Sequence, residues 1–182
     1  ENLDGIGSSW TQHEISDLAD GVGMVYAIDL DGDGDTDALS ASEKDDTIAW
    51  CNNTDGVGGN WEYNEINVGD LDGACSLHAI DMDNDGDIDV VSSSYNDDTI
   101  MWHENLNGTG GNWAHYTITE DADYVYSIFA IDMDHDDVID VLSAHFDTDT
   151  VAWYLNLMPS PPSLLPTSVP TAMPTALPTT PP

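Results

Sequence analysis

A nine-residue pattern of alternating aspartates recurs three times and limits what this chain can fold into more than any other feature. It runs DLDGDGDTD at residues 29–37, DMDNDGDID at 81–89 and DMDHDDVID at 132–140, at intervals of 52 and 51 residues. A fixed period of that size marks a repeat architecture, in which each unit is one supersecondary element that buries its faces against its neighbours. The chain carries 36 acidic residues against a single base, Lys44, for a formal charge of −35. Fifteen of those acids lie in the three loops. A charge of this sign argues against nucleic acid and anionic membrane as partners, since both are met through Lys and Arg. It also repels itself in the compact state unless cations offset it.

The sequence between the loops repeats in step with them. VYAI (25–28), LHAI (77–80) and IFAI (128–131) feed straight into the aspartates. ALSAS, VVSSS and VLSAH follow them, and after a polar turn come TIAW, TIMW and TVAW, ending at Trp50, Trp102 and Trp153. A Gly-rich turn then leads to WEYNEI at Trp61 and WAHYTI at Trp113, and WTQHEI at Trp10 is the same segment at the start of the chain. Runs of four to six residues rich in β-branched and aromatic side chains are strands. Each repeat is therefore four short strands with no helical periodicity, the signature of a β-propeller blade. The blades span about 22–66, 74–118 and 125–155, and residues 1–15 are the tail of a preceding blade or a closing strand. The six Trp residues are expected in the core, and Ala27, Ile28, Ala79 and Ile80 suit close packing between blades.

The composition changes at Met158. All nine prolines lie beyond it, spaced every four residues from Pro166 with Thr alongside. Pro removes backbone donors and blocks helix and sheet alike, so 158–182 is expected to be an extended stalk. Cys51 and Cys75 are the only cysteines, either disulfide-bonded or two packed thiols. Asn52 and Asn107 open N-glycosylation triplets. No apolar run reaches 18 residues, so no membrane-spanning helix is expected. The chain opens on Glu1 and is read as a processed product or a fragment.

The loop spacing has a chemical meaning. Calcium takes six to eight oxygens, and carboxylates at positions 1, 3 and 5 of a tight loop converge on one centre. Position 7 adds a backbone carbonyl and position 9 a further acid. The expected ligands are Asp29, Asp31, Asp33, the carbonyl of Asp35, and Asp37 in the first loop. In the second they are Asp81, Asp83, Asp85, the carbonyl of Asp87, and Asp89. In the third they are Asp132, Asp134, Asp136, the carbonyl of Val138, and Asp140. Up to three Ca2+ ions follow. Gly34 and Gly86 stand at position 6, where the chain must turn with positive φ. Asp137 replaces Gly there, so the third site is expected to be weaker or strained. Position 12 is Ser40, Ser92 or Ser143 and the flanks are strands, which rules out an EF-hand.

These loops in this strand context resemble the FG-GAP/VCBS repeat family, whose calcium-loop blades also build the integrin α-subunit head. The motif D-x-D-x-D-G-x-x-D is matched in full at 29–37 and 81–89, and in all but its Gly at 132–140. The FG and GAP tripeptides are absent, which places the chain nearer the VCBS branch. The resemblance covers about residues 1–157 and implies an all-β propeller of four-stranded antiparallel blades with calcium at the positions named. Three repeats are fewer than the four to eight blades of a closed propeller. The chain is thus expected to be a slice of a larger, seven-bladed ring. The alternative has the strand at Trp10 completing the last blade, within the chain or in an oligomer.

The resemblance also sets the functional expectation. Every acid-rich feature recurs three times, whereas a catalytic pair is normally unique, so no enzymatic activity is expected. The chain reads as a calcium-binding extracellular or cell-surface propeller for adhesion or recognition of a protein or glycan ligand, with self-association through unpaired blade edges a further possibility. The second reading is a lectin-like propeller or an accessory domain of a secreted polysaccharide-active enzyme. Exposed Trp61, Trp113 or Tyr95 would favour that second reading.

Overall fold

The computed structural model describes residues 5, 7–67, 69 and 71–157. The expected stalk at 158–182 lies outside the described residues. Eleven strands and no helix occur among those described. The first blade is β1 (Val22–Ile28), β2 (Asp37–Ser42), β3 (Thr47–Asn53) and β4 (Trp61–Glu65), antiparallel in that order. The second is β5 (Ala74–Ile80), β6 (Asp89–Ser94), β7 (Thr99–Asn105) and β8 (Trp113–Thr119), in the same order. The third holds β9 (Val125–Ile131), β10 (Asp140–His145) and β11 (Thr150–Tyr154). The sheets form partial propeller blades and do not close into a ring.

Each strand expected from the repeat forms, with one exception. Residues 11–16 carry no strand, and only Trp10 makes an isolated bridge. The physical reason lies in what a fourth strand needs. WEYNE and WAHYTIT form because β3 and β7 offer them an edge in register. WTQHEI has a similar composition, but among the described residues no third strand pairs with it as β3 and β7 pair with WEYNE and WAHYTIT, and a strand without a ladder does not repay its ordering entropy.

Two apolar cores lie between the blades. The first joins Leu39, Ile48 and Trp50 of blade one to Leu77, Ala79 and Val90 of blade two. The second joins Val91, Ile100 and Trp102 of blade two to Val125, Ile128 and Val141 of blade three. The expectation that all six Trp lie in the core is corrected. Trp50 and Trp102 are buried, Trp61 and Trp113 are half-buried, and Trp10 and Trp153 are exposed. The difference follows from the stacking, since a tryptophan is covered only where another blade lies over it. Ala27 is also exposed, while Ala79 at the same place in blade two is buried. Cys51 and Cys75 are both free thiols.

One glycine is fixed by this stacking. Gly110 in the β7–β8 turn has φ +66°, and a Cβ there would come within 2.3 Å of the buried Trp50 ring. Gly58, its equivalent in blade one, also has positive φ, but its Cβ would meet Trp61 at an ordinary 3.6 Å. Gly110→Ala is therefore expected to cost about 2–4 kcal/mol, the sum of the left-handed penalty and overpacking. Gly58→Ala should cost only about 1–2 kcal/mol from backbone conformation alone. Urea denaturation of both variants checks this, and equal losses would refute the packing argument.

Candidate metal centres

Each aspartate loop is the hairpin connection between the first and second strands of a blade. The chain leaves β1, β5 or β9 and must reverse over eight residues while keeping its amides bonded. It does so with two left-handed residues per loop. Position 4 is Gly32 (φ 72°), Asn84 (63°) and His135 (66°), and position 6 is Gly34 (96°), Gly86 (101°) and Asp137 (68°). The need for Gly or a short polar residue at position 6 was legible in the sequence, whereas the second left-handed site at position 4 was not.

The turn brings carboxylates together as the spacing predicts. Asp29, Asp31 and Asp33 offer oxygens within 4.8 Å of one another, as do Asp81, Asp83 and Asp85, and Asp132, Asp134 and Asp136. Loop amides hold them in place. The Gly34 N–H donates to Asp29 Oδ2 (3.0 Å), and those of Asp33 and Asp35 donate to Asp31 Oδ1 (3.2 Å) and Asp33 Oδ1 (2.9 Å). The second loop repeats this through Gly86, Asp85 and Asp87 at 2.9–3.1 Å. The clustering is electrostatically unfavourable by itself. Burial, followed by the charges of neighbouring carboxylates, raises the Asp31 and Asp83 pKa values above the usual carboxylate range.

One oxygen stands out in each of the first two loops. Asp29 Oδ1 and Asp81 Oδ1 are buried with no hydrogen-bond partner. A buried carboxylate oxygen without a donor costs on the order of 1–3 kcal/mol or more. Both residues belong to the acidic clusters, and a cation held there would offer those oxygens a partner. This is the observation on which the fit to a hard, oxygen-seeking ion rests.

The third loop is built differently at the same atom. Asp132 Oδ1 accepts the His135 N–H at 2.7 Å and the Asp136 N–H at 3.2 Å. The oxygen left over in the other two loops is thus occupied by backbone here. The backbone also differs at Asp137, whose φ of 68° falls well short of the 96° and 101° of the glycines. Asp134 and Asp136 are both exposed, whereas Asp31 and Asp83 are half-buried.

The position-9 aspartates are also bonded into the sheet. Asp37, Asp89 and Asp140 are the most buried acids of the loops, at 1%, 1% and 0% exposure. Each accepts two backbone N–H groups. Asp37 takes those of Leu30 (3.1 Å) and Asn53 (2.9 Å), and Asp89 those of Met82 (3.1 Å) and Asn105 (2.8 Å). Asp140 takes those of Met133 (3.2 Å) and Asn156 (2.8 Å). One bond ties the loop's own second residue and the other ties the end of the third strand. These acids staple the loop to the sheet, and Asp37 and Asp140 also lie near enough to the clusters for their charges to add to burial in raising the Asp31 and Asp134 pKa values. Burial pushes Asp89 up to about 6 despite its two N–H bonds. The side chains at position 7 lie apart from the cluster. Asp35 and Asp87 pack over Gly56 and Gly108, where a Cβ would come within 2.4 and 2.3 Å of their carboxylates, and Val138 is buried.

Sequence reasoning missed the asparagine that ends the third strand in blades one and two and lies two residues past it in blade three. Asn53 Nδ2 donates to the Thr36 carbonyl (3.2 Å), Asn105 Nδ2 to Ile88 (3.2 Å) and Asn156 Nδ2 to Ile139 (3.0 Å). Asn53 and Asn105 also accept from Gly58 and Gly110. The signal was present, since Asn recurs 16 residues after each position-9 aspartate. Asn52, the first glycosylation triplet, is half-buried and donates to Asp31 Oδ2 at 3.0 Å, whereas Asn107 is exposed.

A family model described as FG-GAP-like repeat matches residues 29–92 and 81–143, more than half of the 182 residues. The chain belongs to the FG-GAP-like repeat family. No curated protein matches it. The two matched FG-GAP-like segments each run from one aspartate loop through the next, so all three loops fall within them. Among the described residues, no helix is long and apolar enough to cross a membrane.

The FG-GAP-like blades also carry a buried polar cluster that the loops do not explain. In blade two, Ser92 Oγ lies 2.8 Å from His103 Nε2, and His103 Nδ1 lies 2.9 Å from His115 Nδ1. His103 is fully buried. Burial, with the neighbouring His115 second, lowers its pKa to about 3. A folded-state value depressed below the unfolded 6.5 means that the neutral ring stabilises the fold above pH 6.5. That stability is lost as pH falls toward 3, by about 1.4 kcal/mol per pH unit. Denaturant titrations at pH 7, 6 and 5 in chelator should show this slope as the difference between the native chain and a variant without the ring, since the raised Asp89 opposes it equally in both. His103→Cys, which installs the residue that blade one carries at this place, should lack it. An unchanged slope in the variant would assign the acid sensitivity elsewhere.

Proposed function

We propose that this chain is a calcium-binding extracellular propeller module, with ions held at the first two loops and a weaker site at the third. The carrying observation is the pair of buried, partnerless oxygens, Asp29 Oδ1 and Asp81 Oδ1, each within a cluster of three carboxylates. Asp29, Asp31 and Asp33, and Asp81, Asp83 and Asp85, would hold the ion. It would supply positive charge to the carboxylates and a partner for the orphan oxygen. The loops are hard-oxygen sites without His or Cys among the clustered groups, which suits Ca2+ over transition metals. Magnesium is disfavoured because it requires a tighter octahedron and retains its waters.

Isothermal titration of metal-stripped protein with calcium tests this. Two comparable equivalents and a third at least several-fold weaker are expected, with little heat from magnesium. Absence of calcium heat removes the reading, and three equal sites remove the ranking of the third loop.

The role built on this scaffold is adhesion or recognition rather than sugar binding. Support comes from the aromatic residues that a lectin would use as stacking platforms. Trp61 and Trp113 are half-buried, and their indole N–H groups donate to the Gly58 and Gly110 carbonyls at 3.1 and 2.9 Å. Tyr95 is half-buried, with its hydroxyl on Glu43. A glycan array in calcium and in chelator separates the readings, and calcium-dependent binding to any glycan would restore the lectin.

A further inference from the structure

At the first two aspartate clusters the sheet itself brings up a further oxygen-bearing side chain. The residue just before Asn53, Asn105 and Asn156 is Asn52 in blade one, Glu104 in blade two and Leu155 in blade three. The three are equivalent by register, since one residue earlier Cys51 pairs with Ala38, His103 with Val90 and Tyr154 with Val141. Asn52 and Glu104 are both half-buried.

Asn52 Nδ2 donates to Asp31 Oδ2 at 3.0 Å, so its amide lies against the first cluster. The other end of that amide, Oδ1, is buried and accepts no hydrogen bond, as is Asp29 Oδ1 in the adjoining loop. One neutral and one charged acceptor are thus left without donors beside the same three carboxylates. Calcium takes six to eight oxygens, and an amide carbonyl is among the donors it accepts. Three carboxylates offering one atom each fall short of that number. The Asn52 amide meets Asp31 through its N–H, and a half-turn of its last torsion presents Oδ1 there instead.

Glu104 brings a carboxylate to the same place at the second cluster. Its Oε2 accepts the Tyr116 hydroxyl from β8 at 2.9 Å. Burial, followed by the charges of Asp85 and Glu104, raises the Asp83 pKa, so Glu104 is close enough to repel that cluster. No base relieves the repulsion, because Lys44 is the single Lys or Arg of the chain and pairs with Asp20 at 2.9 Å. A divalent cation among these carboxylates reverses the sign of the local electrostatics. Leu155 has no oxygen to offer the third cluster, which is also the one where backbone amides bond Asp132 Oδ1.

We infer that Asn52 and Glu104 are additional metal ligands, each supplying a side-chain oxygen from the sheet to the ion held by the loop beside it. The inference rests on the calcium reading above and extends the first two sites from the loop to the third strand of the blade.

Calorimetric titration of metal-stripped protein with calcium tests it on the native chain and on Asn52→Leu, Asn52→Asp and Glu104→Leu. Leucine is the residue that blade three carries at this place. Asn52→Leu and Glu104→Leu should each weaken one of the two tight equivalents by about tenfold or more and leave the other unchanged, as the loss of one ligand requires. Asn52→Asp keeps an oxygen and loses the N–H that Asp31 accepts, so it should bind calcium at least as tightly as the native chain. Circular dichroism in chelator checks that each variant is folded. A native chain that gives no calcium heat removes the metal reading and this inference together. Two tight equivalents that persist in both leucine variants overturn this inference alone. So does an Asn52→Asp site weakened as far as that of Asn52→Leu, which makes the residue a hydrogen-bond partner of Asp31 and not a ligand.

Discussion

In excess chelator, Asp81→Asn is expected to melt at or above the native chain, and in millimolar calcium it should melt below it. The sign reversal follows from one atom. Asp81 Oδ1 is a buried acceptor with no donor, set among Asp83 and Asp85. Without metal, an amide keeps an oxygen for the Gly86 N–H while it removes one charge from the cluster. With calcium the native carboxylate gains. An ion at ten times its dissociation constant adds about 1.4 kcal/mol per site. For a chain of this size that is about 3–6 °C in melting temperature. Stripping calcium from the native chain should remove about 3 kcal/mol over the first two sites. Asp132→Asn should respond less to calcium, because backbone amides already bond Asp132 Oδ1. An Asp81→Asn variant that melts below the native chain by the same margin in chelator and in calcium would falsify the metal assignment.

Asp89→Ala should be the more damaging change, and damaging in both conditions. Asp89 is 1% exposed and its two oxygens satisfy the Met82 and Asn105 amides. Truncation leaves two buried N–H groups unpaired at about 1–3 kcal/mol each. A loss of roughly 3–5 kcal/mol is expected, near the upper end for single substitutions. Asp37→Ala should behave alike through Leu30 and Asn53. Melting curves in chelator are the decisive measurement. If Asp89→Ala matches the native chain there, the residue acts only through metal and its role as a staple is wrong.

The two variants divide a motif that the sequence presents as uniform. Five alternating aspartates look alike when spacing is the only information. Spacing correctly placed positions 1, 3 and 5 together, because alternate side chains in a tight turn share a centre. It could not show that position 9 also staples the sheet, because the second partner of that carboxylate is an amide 16 residues further on, brought near only by the β2–β3 pairing. The third loop was partly legible. Asp137 at position 6 signalled a departure, but the capture of Asp132 Oδ1 by the His135 and Asp136 amides depends on the altered backbone.

The strands follow the same division. Period, hairpin turns and apolar alternation are local properties, and they located β1 to β11 because each strand finds its partner within the same repeat. The segment at Trp10 has the same local properties and remains outside the sheets, because strand formation also requires an edge. Likewise Trp50 and Trp153 are equivalent in sequence, yet one is buried and the other exposed. The sequence by itself determined the repeat, the blade and the three clusters of carboxylates, all set by residues within one period of each other. Only the tertiary structure decided which oxygens lack a donor, which aspartates staple the sheet and which blade faces stay open, because each of these depends on stacking between strands or blades that spacing does not encode.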